Sequence, residues 1–470
     1  MYITGLQLRN FKRFKDQYLD LNPPITLLLG PNSSGKSSIL KSMLGIKQTV
    51  SPTNEHEVFA AQGDYVELGT YEDYSYMHKK AEVITICVTI KNIANIYNML
   101  PGPNVEAVFS IDYDYDAMTD QARLHAIKIY KKSNDLHLPL FELTRKTTRD
   151  GYWLHASDDA VKAVVRTFPM SKSITGKREA ISLSHIERFK FVTTNRKKED
   201  DWYTHYAFNQ LMDTFSKTFE GDIFYLGPLR SSPARSYIRT SHRSEVGPKG
   251  EHTPSVFATL EKRQKKVTTG KEKSELKISY DTLMEWTNIL FPGKFVSTNT
   301  YGELVKLKVN SRVNNLIRAD SINDVGFGFS QIFPILVQMA VMPGGSTLII
   351  EQPELHMHPM AQANLAKIIV SAANMGKRFI IETHSEHFVR GLQLSVSEFK
   401  KDHSSGIGHE KINMFYVPEG EAIFSIGLNE WGELLREWPS GFFDEAYKLS
   451  YRLMMNKMES VQNESTAEVV

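Results

Sequence analysis

An α/β fold is the class this sequence predicts, on two observations. A glycine-rich loop, Gly30-Pro31-Asn32-Ser33-Ser34-Gly35-Lys36-Ser37, stands between a short apolar run and a helix-patterned stretch. Far downstream, between Ser330 and Ile381, segments with helical spacing alternate with short apolar runs. Alternation of that kind is the mark of helices packed on a largely parallel sheet.

The N-terminal elements follow from pattern. Ile3, Leu6 and Leu8 begin a strand, Asn10 to Phe14 turn, and Tyr18 to Leu21 form the hairpin mate. Pro23-Pro24 punctuates, and Ile25 to Leu29 is a continuous apolar run feeding the loop, which predicts a buried strand. Ser37 to Lys47 carries helical spacing at Ile39, Leu40, Met43 and Leu44. Another strand is expected over Glu82 to Ile90.

Residues 91–222 have few sharp signals and are expected to form an inserted arm of mixed strand and helix, with helices at Ile181–Phe191 and Tyr203–Phe219. Ile223 to Leu226 predicts a strand before Gly227-Pro228-Leu229-Arg230. From Arg230 to Lys273 there are eleven Lys/Arg against four Asp/Glu, a basic stretch that suits a solvated face, a docking surface or contact with phosphate backbones. It lacks the interleaved aromatics of a single-strand stacking platform. Helices are expected at Ser330–Met342 and Pro359–Met375, and strands at Ser346–Ile350 and Arg378–Ile381. The polar end from about Ser460 is expected to be disordered.

Composition narrows the class. With 470 residues the chain can bury at least one large core. A net charge of +2 excludes a globally basic nucleic-acid coat but not a local basic patch. The single cysteine, Cys87, excludes a disulfide framework and a cysteine-rich zinc site, and fits a reducing cytoplasm. Met1-Tyr2-Ile3-Thr4 leads directly into a strand, so no signal peptide is expected. No apolar run approaches about 18 residues, so no spanning helix and no membrane association are expected.

The loop fits the pattern whose backbone N–H groups cradle nucleotide phosphates, in its required strand-loop-helix setting. Gly30 and Gly35 let the backbone approach, and the following helix offers its positive N-terminus. Lys36 is expected on the β- and γ-phosphates of ATP, and Ser37 on Mg2+. Pro31, Asn32, Ser33, Ser34 and Ser38 complete the loop. Leu348-Ile349-Ile350-Glu351 is an apolar strand ending in a carboxylate, placed to contact magnesium; Gln352 and Glu354 follow it. His384, after a second apolar strand, is placed to sense the γ-phosphate. Gly326-Phe327-Gly328-Phe329-Ser330 precedes an apolar helix and reads either as an anion-ready surface or as an ordinary start with Ser330 as N-cap.

Asp112, Asp114 and Asp116 alternate on one strand face, either as a metal site or, on the simpler reading, as a solvated face. His356 and His358 lack a zinc-site context and are expected to shape a loop.

Taken together, Leu8-Arg9-Asn10-Phe11, Gly30 to Ser38, Gly326 to Gln331, Ile350 to Pro359 and Thr383-His384-Ser385 resemble the RecF/SMC/OLD group of ABC-type ATPases. Within the group, Tyr225 to Arg230, Glu382 to His387 and Trp438 to Glu445 resemble a stand-alone subfamily, of a size similar to the AriA family of PARIS and the PtuA family of Septu. The resemblance implies an ABC-type ATPase head with a mixed sheet and a phosphate loop. It divides the chain into an N-terminal half of the head (1–90), an inserted α+β arm (91–222), a basic connecting segment and lid (223–300), a C-terminal half of the head (301–459) and a tail (460–470). It implies a homodimer or higher homo-oligomer with ATP sandwiched between chains, Gly328 and Ser330 of one facing the nucleotide on Lys36 of the other. It also suggests that Gln48 or Gln62 reports on the magnesium site.

Members of the group act as DNA-repair ATPases or as sensors in anti-phage systems beside a separately encoded nuclease, with DNA or a phage protein as trigger. One departure stands out: Gln352 occupies the place where the group puts a catalytic glutamate. An amide orients water but takes no proton, and losing a general base costs about 10²–10⁴-fold, so slow hydrolysis is expected unless Glu354 substitutes. No Toprim carboxylate set follows His384, so no nuclease of its own is expected.

Overall fold

The structure is a computed structural model that describes residues 1–51, 54, 57–93, 99–100, 105–133, 136–146, 151–167, 179–181, 183–187, 189–193, 199–239, 245–266, 271–313, 316–439, 441–443 and 448–457. The chain opens with the hairpin β1 (Tyr2–Phe11) and β2 (Phe14–Asp20). β3 (Ile25–Leu29), buried throughout, feeds α1 (Lys36–Val50). The short α2 (Tyr71–Tyr74) precedes β4 (Ile84–Lys91), β5 (Glu106–Asp116), β6 (Gln121–Ser133), β7 (Leu136–Arg145) and β8 (Tyr152–Ala156). Next come α3 (Asp158–Thr167), β9 (Glu179–Ile181), β10 (Leu183–Glu187), β11 (Lys190–Thr193), α4 (Glu199–Gly221), β12 (Ile223–Leu226) and β13 (Tyr237–Ile238). α5 (Thr253–Lys266) and α6 (Lys271–Leu290) lead to β14 (Lys294–Tyr301), β15 (Leu304–Val313) and β16 (Leu316–Ser321). The chain continues through α7 (Phe327–Val341), β17 (Thr347–Glu351), α8 (Pro359–Asn374), β18 (Arg378–Glu382), α9 (Glu386–Lys401), β19 (Ile412–Tyr416) and β20 (Phe424–Ser425).

The site is built on a mixed six-stranded sheet ordered β12-β17-β18-β3-β19-β20, parallel except at β20. Helices α8 and α9 supply the crossovers that parallel neighbours require. Side chains alternate between two cores. Leu27, Leu29, Leu348, Ile350, Phe379 and Ile381 pack with α7, α8 and α9. Leu28, Ile349 and Ile380 face α1 and the strands of the N-terminal sheet. Burial on both faces explains the unbroken apolar runs read from the sequence. The fold is thus the expected α/β class, with a mixed sheet.

The second sheet is antiparallel, ordered β2-β1-β4-β5-β6-β7-β8-β9. Strands from 91–222 therefore continue the sheet that the N-terminal hairpin starts, β5 pairing directly with β4. The helix expected at Ile181–Phe191 is corrected to strands β9, β10 and β11. Ile181 and Leu183, and again Phe189 and Phe191, alternate with polar residues, and Phe189 turns with φ 60°. The helix expected at 203–219 is present and longer, as α4. The boundary expected at 300/301 falls inside the β14–β15 hairpin, where Tyr301 faces Leu304. The tail expected at 460–470 lies outside the described residues. No described helix is long and apolar enough to cross a membrane.

Helix α4 is held by aromatic packing. Phe215 is fully buried, its ring 5.0 Å from Phe109 of β5, 5.0 Å from Phe219 and 5.8 Å from Phe189. Phe215→Ala is expected to lower stability by about 3–5 kcal/mol, from lost transfer energy and the cavity left behind. The denaturant midpoint measures this, and a loss no larger than that of a surface substitution would contradict the packing.

Candidate functional site

The phosphate loop leaves the C-terminal end of β3, central in the sheet, and enters α1 at Lys36. Its backbone is possible only with glycine at two positions. Gly30 (φ 141°) lies against the carbonyl of Val417, and Gly35 (φ 98°) against the side chain of Arg13, so a Cβ at either would collide. Asn32 and Ser33 form the exposed tip, Ser33 in the left-handed region at φ 61°.

Lys36 is buried and folded back, donating to the carbonyls of Gly30 (3.0 Å) and Pro31 (2.6 Å). Burial lowers its pKa, and Glu382, 4.0 Å away, opposes the shift. Ser37 Oγ donates to Glu382 Oε2 at 2.9 Å. Ser34 Oγ is buried without a hydrogen-bond partner. Ser38 lines a cleft of about 840 Å³ beside the loop, together with Lys12, Arg13, Ser33, Gly35 and Glu421.

Strand register explains how distant carboxylates arrive here. Glu351 pairs with Glu382 across β17 and β18, and Glu382 pairs with Leu28 across β18 and β3. Ile349 and Ile380 face the core that contains α1, so Glu351 and Glu382, two residues on, face the same way. Glu351 is buried and accepts from Tyr225 Oη at 2.8 Å, and its main-chain oxygen accepts from Arg230 Nη2 at 3.0 Å. Burial raises the Glu351 carboxyl to about 6, against the Tyr225 hydrogen bond. Burial also raises Glu382, opposed by Lys36 and by Ser37. Arg230 is buried as well, which pushes its guanidinium down to about 10.

Gln352 follows in the left-handed region (φ 44°), its N–H donating to the Glu382 carbonyl at 2.7 Å. Glu354 is buried and accepts from the backbone N–H of His384 at 2.6 Å, so it props the turn after β18. Burial raises Glu354, and that hydrogen bond opposes the rise. His384 is half-buried, its pKa lowered by burial and by Lys36, which favours the neutral imidazole.

The structure therefore gathers the loop, Glu351, Glu354 and His384 at the C-terminal end of the parallel strands. Gly328 and Ser330 lie on the first turn of α7, where Gly328 abuts the carbonyl of His356. Ser330 is not an N-cap: α7 starts at Phe327 with Gly326 as its cap, and Ser330 is buried one turn in. Gln48 is corrected to a structural residue. Its amide is engaged by the carbonyls of Ala60 and Val66 and by the N–H groups of Tyr65 and Val66. Gln62 sits in an isolated bridge with Glu67.

His358 caps α8, its Nδ1 accepting from Met360 N. Asp112 pairs with Lys128, and Asp114 and Asp116 pair with Arg123, so this face is an ion-paired one. Among the described residues no group of three or more His, Cys, Asp or Glu is placed to hold a metal.

Sequence reading missed Glu382, Tyr225, Arg230 and Arg13 as members of the site. Glu382 carried a signal, since like Glu351 it is the first charge after a buried apolar run. Arg13 carried none: it donates to the carbonyls of Ser34, Pro418 (2.6 Å) and Glu421 (2.7 Å), a contact across the fold that ties the loop to the β19–β20 turn.

The donors fit a magnesium nucleotide. Two carboxylates and a hydroxyl form a hard oxygen set. The glycine cradle, the orphaned Ser34 hydroxyl and a lysine bound only to its own loop's carbonyls and near Glu382 suit a polyphosphate.

Parts of the chain are similar to known proteins. The family model described as AAA ATPase domain matches residues 1–389. The DNA replication and repair protein RecF of Roseiflexus castenholzii is 41% identical over 68 residues, 14% of this chain and 17% of that protein. RecF of Staphylococcus carnosus is 28% identical over 93 residues, 19% and 24% of the two chains. The chromosome partition protein Smc of Fusobacterium nucleatum is 45% identical over 47 residues, 10% of this chain and 4% of that one. The matched stretches thus span less than a quarter of the length of these relatives. A solved SmcHead bound to the C-winged helix domain of ScpA superposes with a TM-score of 0.44 at 12% identity, covering 91% of this chain and 99% of that one. The SMC head domain from Thermotoga maritima gives 0.38 at 9% identity, covering 91% and 100%.

The raised Glu351 carboxyl has a stability consequence. The folded chain holds this proton more tightly than the unfolded chain, whose carboxyl titrates near 4.5, so stability falls as pH rises from about 4.5 through 6. Glu351→Gln removes that cost while keeping an acceptor for Tyr225. In metal-free buffer at pH 7 the variant is expected to gain on the order of 2 kcal/mol over the wild type, a gain absent at pH 4.5. Unfolding midpoints at the two pH values measure it, and a gain independent of pH would refute the assignment.

Proposed function

The chain belongs to the AAA ATPase domain family, and from that premise we propose that it binds ATP with Mg2+, hydrolyses it slowly and works as a two-chain switch. The observation that carries the reading is the contact of Ser37 with Glu382, beside Lys36, at the end of the strand paired to the one bearing Glu351. Lys36 and the loop N–H groups bind the phosphates, while Ser37, Glu351 and Glu382 hold the metal, which neutralises phosphate charge. His384, beside Lys36 and favoured neutral, faces the γ-phosphate. Gln352 orients the attacking water, and the burial of Glu354 under the His384 N–H keeps that carboxylate from replacing it. Gly328 and Ser330 act on the nucleotide of a second chain, which makes the working unit a homodimer or a higher homo-oligomer.

Slow turnover suits a sensor or scaffold better than a motor. We therefore read the cellular role as antiviral defence, the ATP-bound assembly holding a separately encoded nuclease or toxic effector and releasing it when DNA or a phage protein triggers it. A second reading, a DNA-repair or chromosome-maintenance ATPase acting directly on DNA, is favoured by the stretches similar to proteins named RecF and Smc. The two separate by experiment. A stoichiometric protein partner in the native complex, with hydrolysis indifferent to DNA, supports the first; DNA-stimulated hydrolysis by the chain alone supports the second.

The site itself is tested by two substitutions. Lys36→Ala is expected to abolish nucleotide binding, since each charge-assisted hydrogen bond lost is worth about 1.5–3 kcal/mol; normal ATP affinity in equilibrium titration would refute the loop assignment. Gln352→Glu supplies a base and is expected to raise the single-turnover hydrolysis rate by about 10²-fold. An unchanged rate would mean that another group already activates the water.

A further inference from the structure

The segment between β12 and the basic stretch holds Glu351 at both ends. From Tyr225 the hydroxyl reaches the carboxylate, 2.8 Å from Oε1, and from Arg230 the guanidinium reaches the main-chain oxygen at 3.0 Å. We propose that Tyr225 is a displaceable cap on the Glu351 carboxylate, and that Arg230 is the clamp that keeps Glu351 in place when the cap leaves. Both are positioning residues, and the proposal rests on the reading of Glu351 as a metal carboxylate.

Three features support a built device. Gly227 gives the hydroxyl its room: a Cβ there would stand 3.0 Å from the Tyr225 oxygen. The clamp is anchored independently of the cap, because Gly227 N donates to Pro248 O (2.9 Å) and Ser231 N to Lys249 O (2.8 Å). Arg230 is buried, yet its Nε and Nη1 have no hydrogen-bond partner, so its side-chain hydrogen bond is spent on the Glu351 backbone rather than on a carboxylate. An Arg placed to neutralise Glu351 would instead fork onto its two oxygens.

The competition is chemical. A hydroxyl proton drawn onto Oε1 withdraws negative charge and a lone pair that a divalent cation needs, and Mg2+ accepts little departure from its preferred geometry. A cation bound through Oε1 therefore competes with the Tyr225 contact, while the clamp, which touches only the main chain, is unaffected. Tyr225 lies on an edge strand of the six-stranded sheet and its ring packs 6.4 Å from that of Tyr65, whose hydroxyl donates to Glu245 Oε2 at 3.3 Å, so cap release has a route into the basic segment.

The test is equilibrium binding of a fluorescent ATP analogue to the full chain across a magnesium titration, with a second series in EDTA. Tyr225→Phe keeps the ring and removes the hydroxyl. It is expected to lower the half-saturating magnesium concentration about tenfold, the equivalent of one hydrogen bond to a charged group. Arg230→Lys keeps the charge and loses the guanidinium contact to the Glu351 main-chain oxygen, and is expected to raise that concentration. Affinity in EDTA is expected to match the wild type for both. An unchanged or raised magnesium requirement in Tyr225→Phe would overturn the cap, as would both variants shifting in the same direction, the pattern of simple destabilisation. If the wild type binds equally well with magnesium and with EDTA, the metal reading of Glu351 fails and takes the cap with it. If the wild type depends on magnesium and Tyr225→Phe does not move that dependence, the cap alone fails.

Discussion

One constraint organises this molecule: the parallel register of β17, β18 and β3, which sets Glu351 beside Glu382 and Glu382 beside Leu28. Two-residue side-chain periodicity then turns both carboxylates toward α1, where the phosphate loop ends. The hydrogen bond from Ser37 to Glu382 joins residues 345 positions apart and is a direct product of that register. A slip of one residue in either strand would send a carboxylate into the opposite core. Leu348, Ile350, Phe379 and Ile381, fully buried against the helices, make such a slip costly.

The second theme is buried charge. Lys36, Glu351, Glu354, Glu382 and Arg230 are all buried around this site, and burial moves each away from its ordinary ionisation. The chain offsets the cost locally. Lys36 turns onto its own loop carbonyls, Glu351 accepts from Tyr225, Glu354 accepts from a backbone N–H, and Glu382 accepts from Ser37. Each of those contacts occupies a group that a polyphosphate or a cation would use. The same packing that makes the free site tolerable is thus what a ligand has to exchange for its own contacts.

Much of this was legible in the sequence because the signals are local. Gly30 and Gly35 mark a backbone that only glycine allows, and the apolar runs before Gly30 and through Glu351 mark strands buried on both faces. The failures were also local in origin. Ile181 to Phe191 satisfied a loose helical count, but its period of two prevailed. The resemblance suggests Gln48 or Gln62 at the magnesium site; the four hydrogen bonds of Gln48 come from a loop whose path no motif announces. Ser330 looked like a cap because the helix start was placed three residues late.

By itself the sequence determined the α/β class, the phosphate loop, the strand end at Glu351 and the strand before His384, since glycine tolerance and side-chain period act over a few residues. Tertiary structure alone decided which residues share the site. Glu382 reaches Ser37 through strand order, Tyr225 and Arg230 reach Glu351 from an edge strand, and Arg13 reaches the loop from a hairpin turn. Those partnerships depend on how sheets and crossovers are arranged in space, a property of the packed chain that no short window of sequence contains.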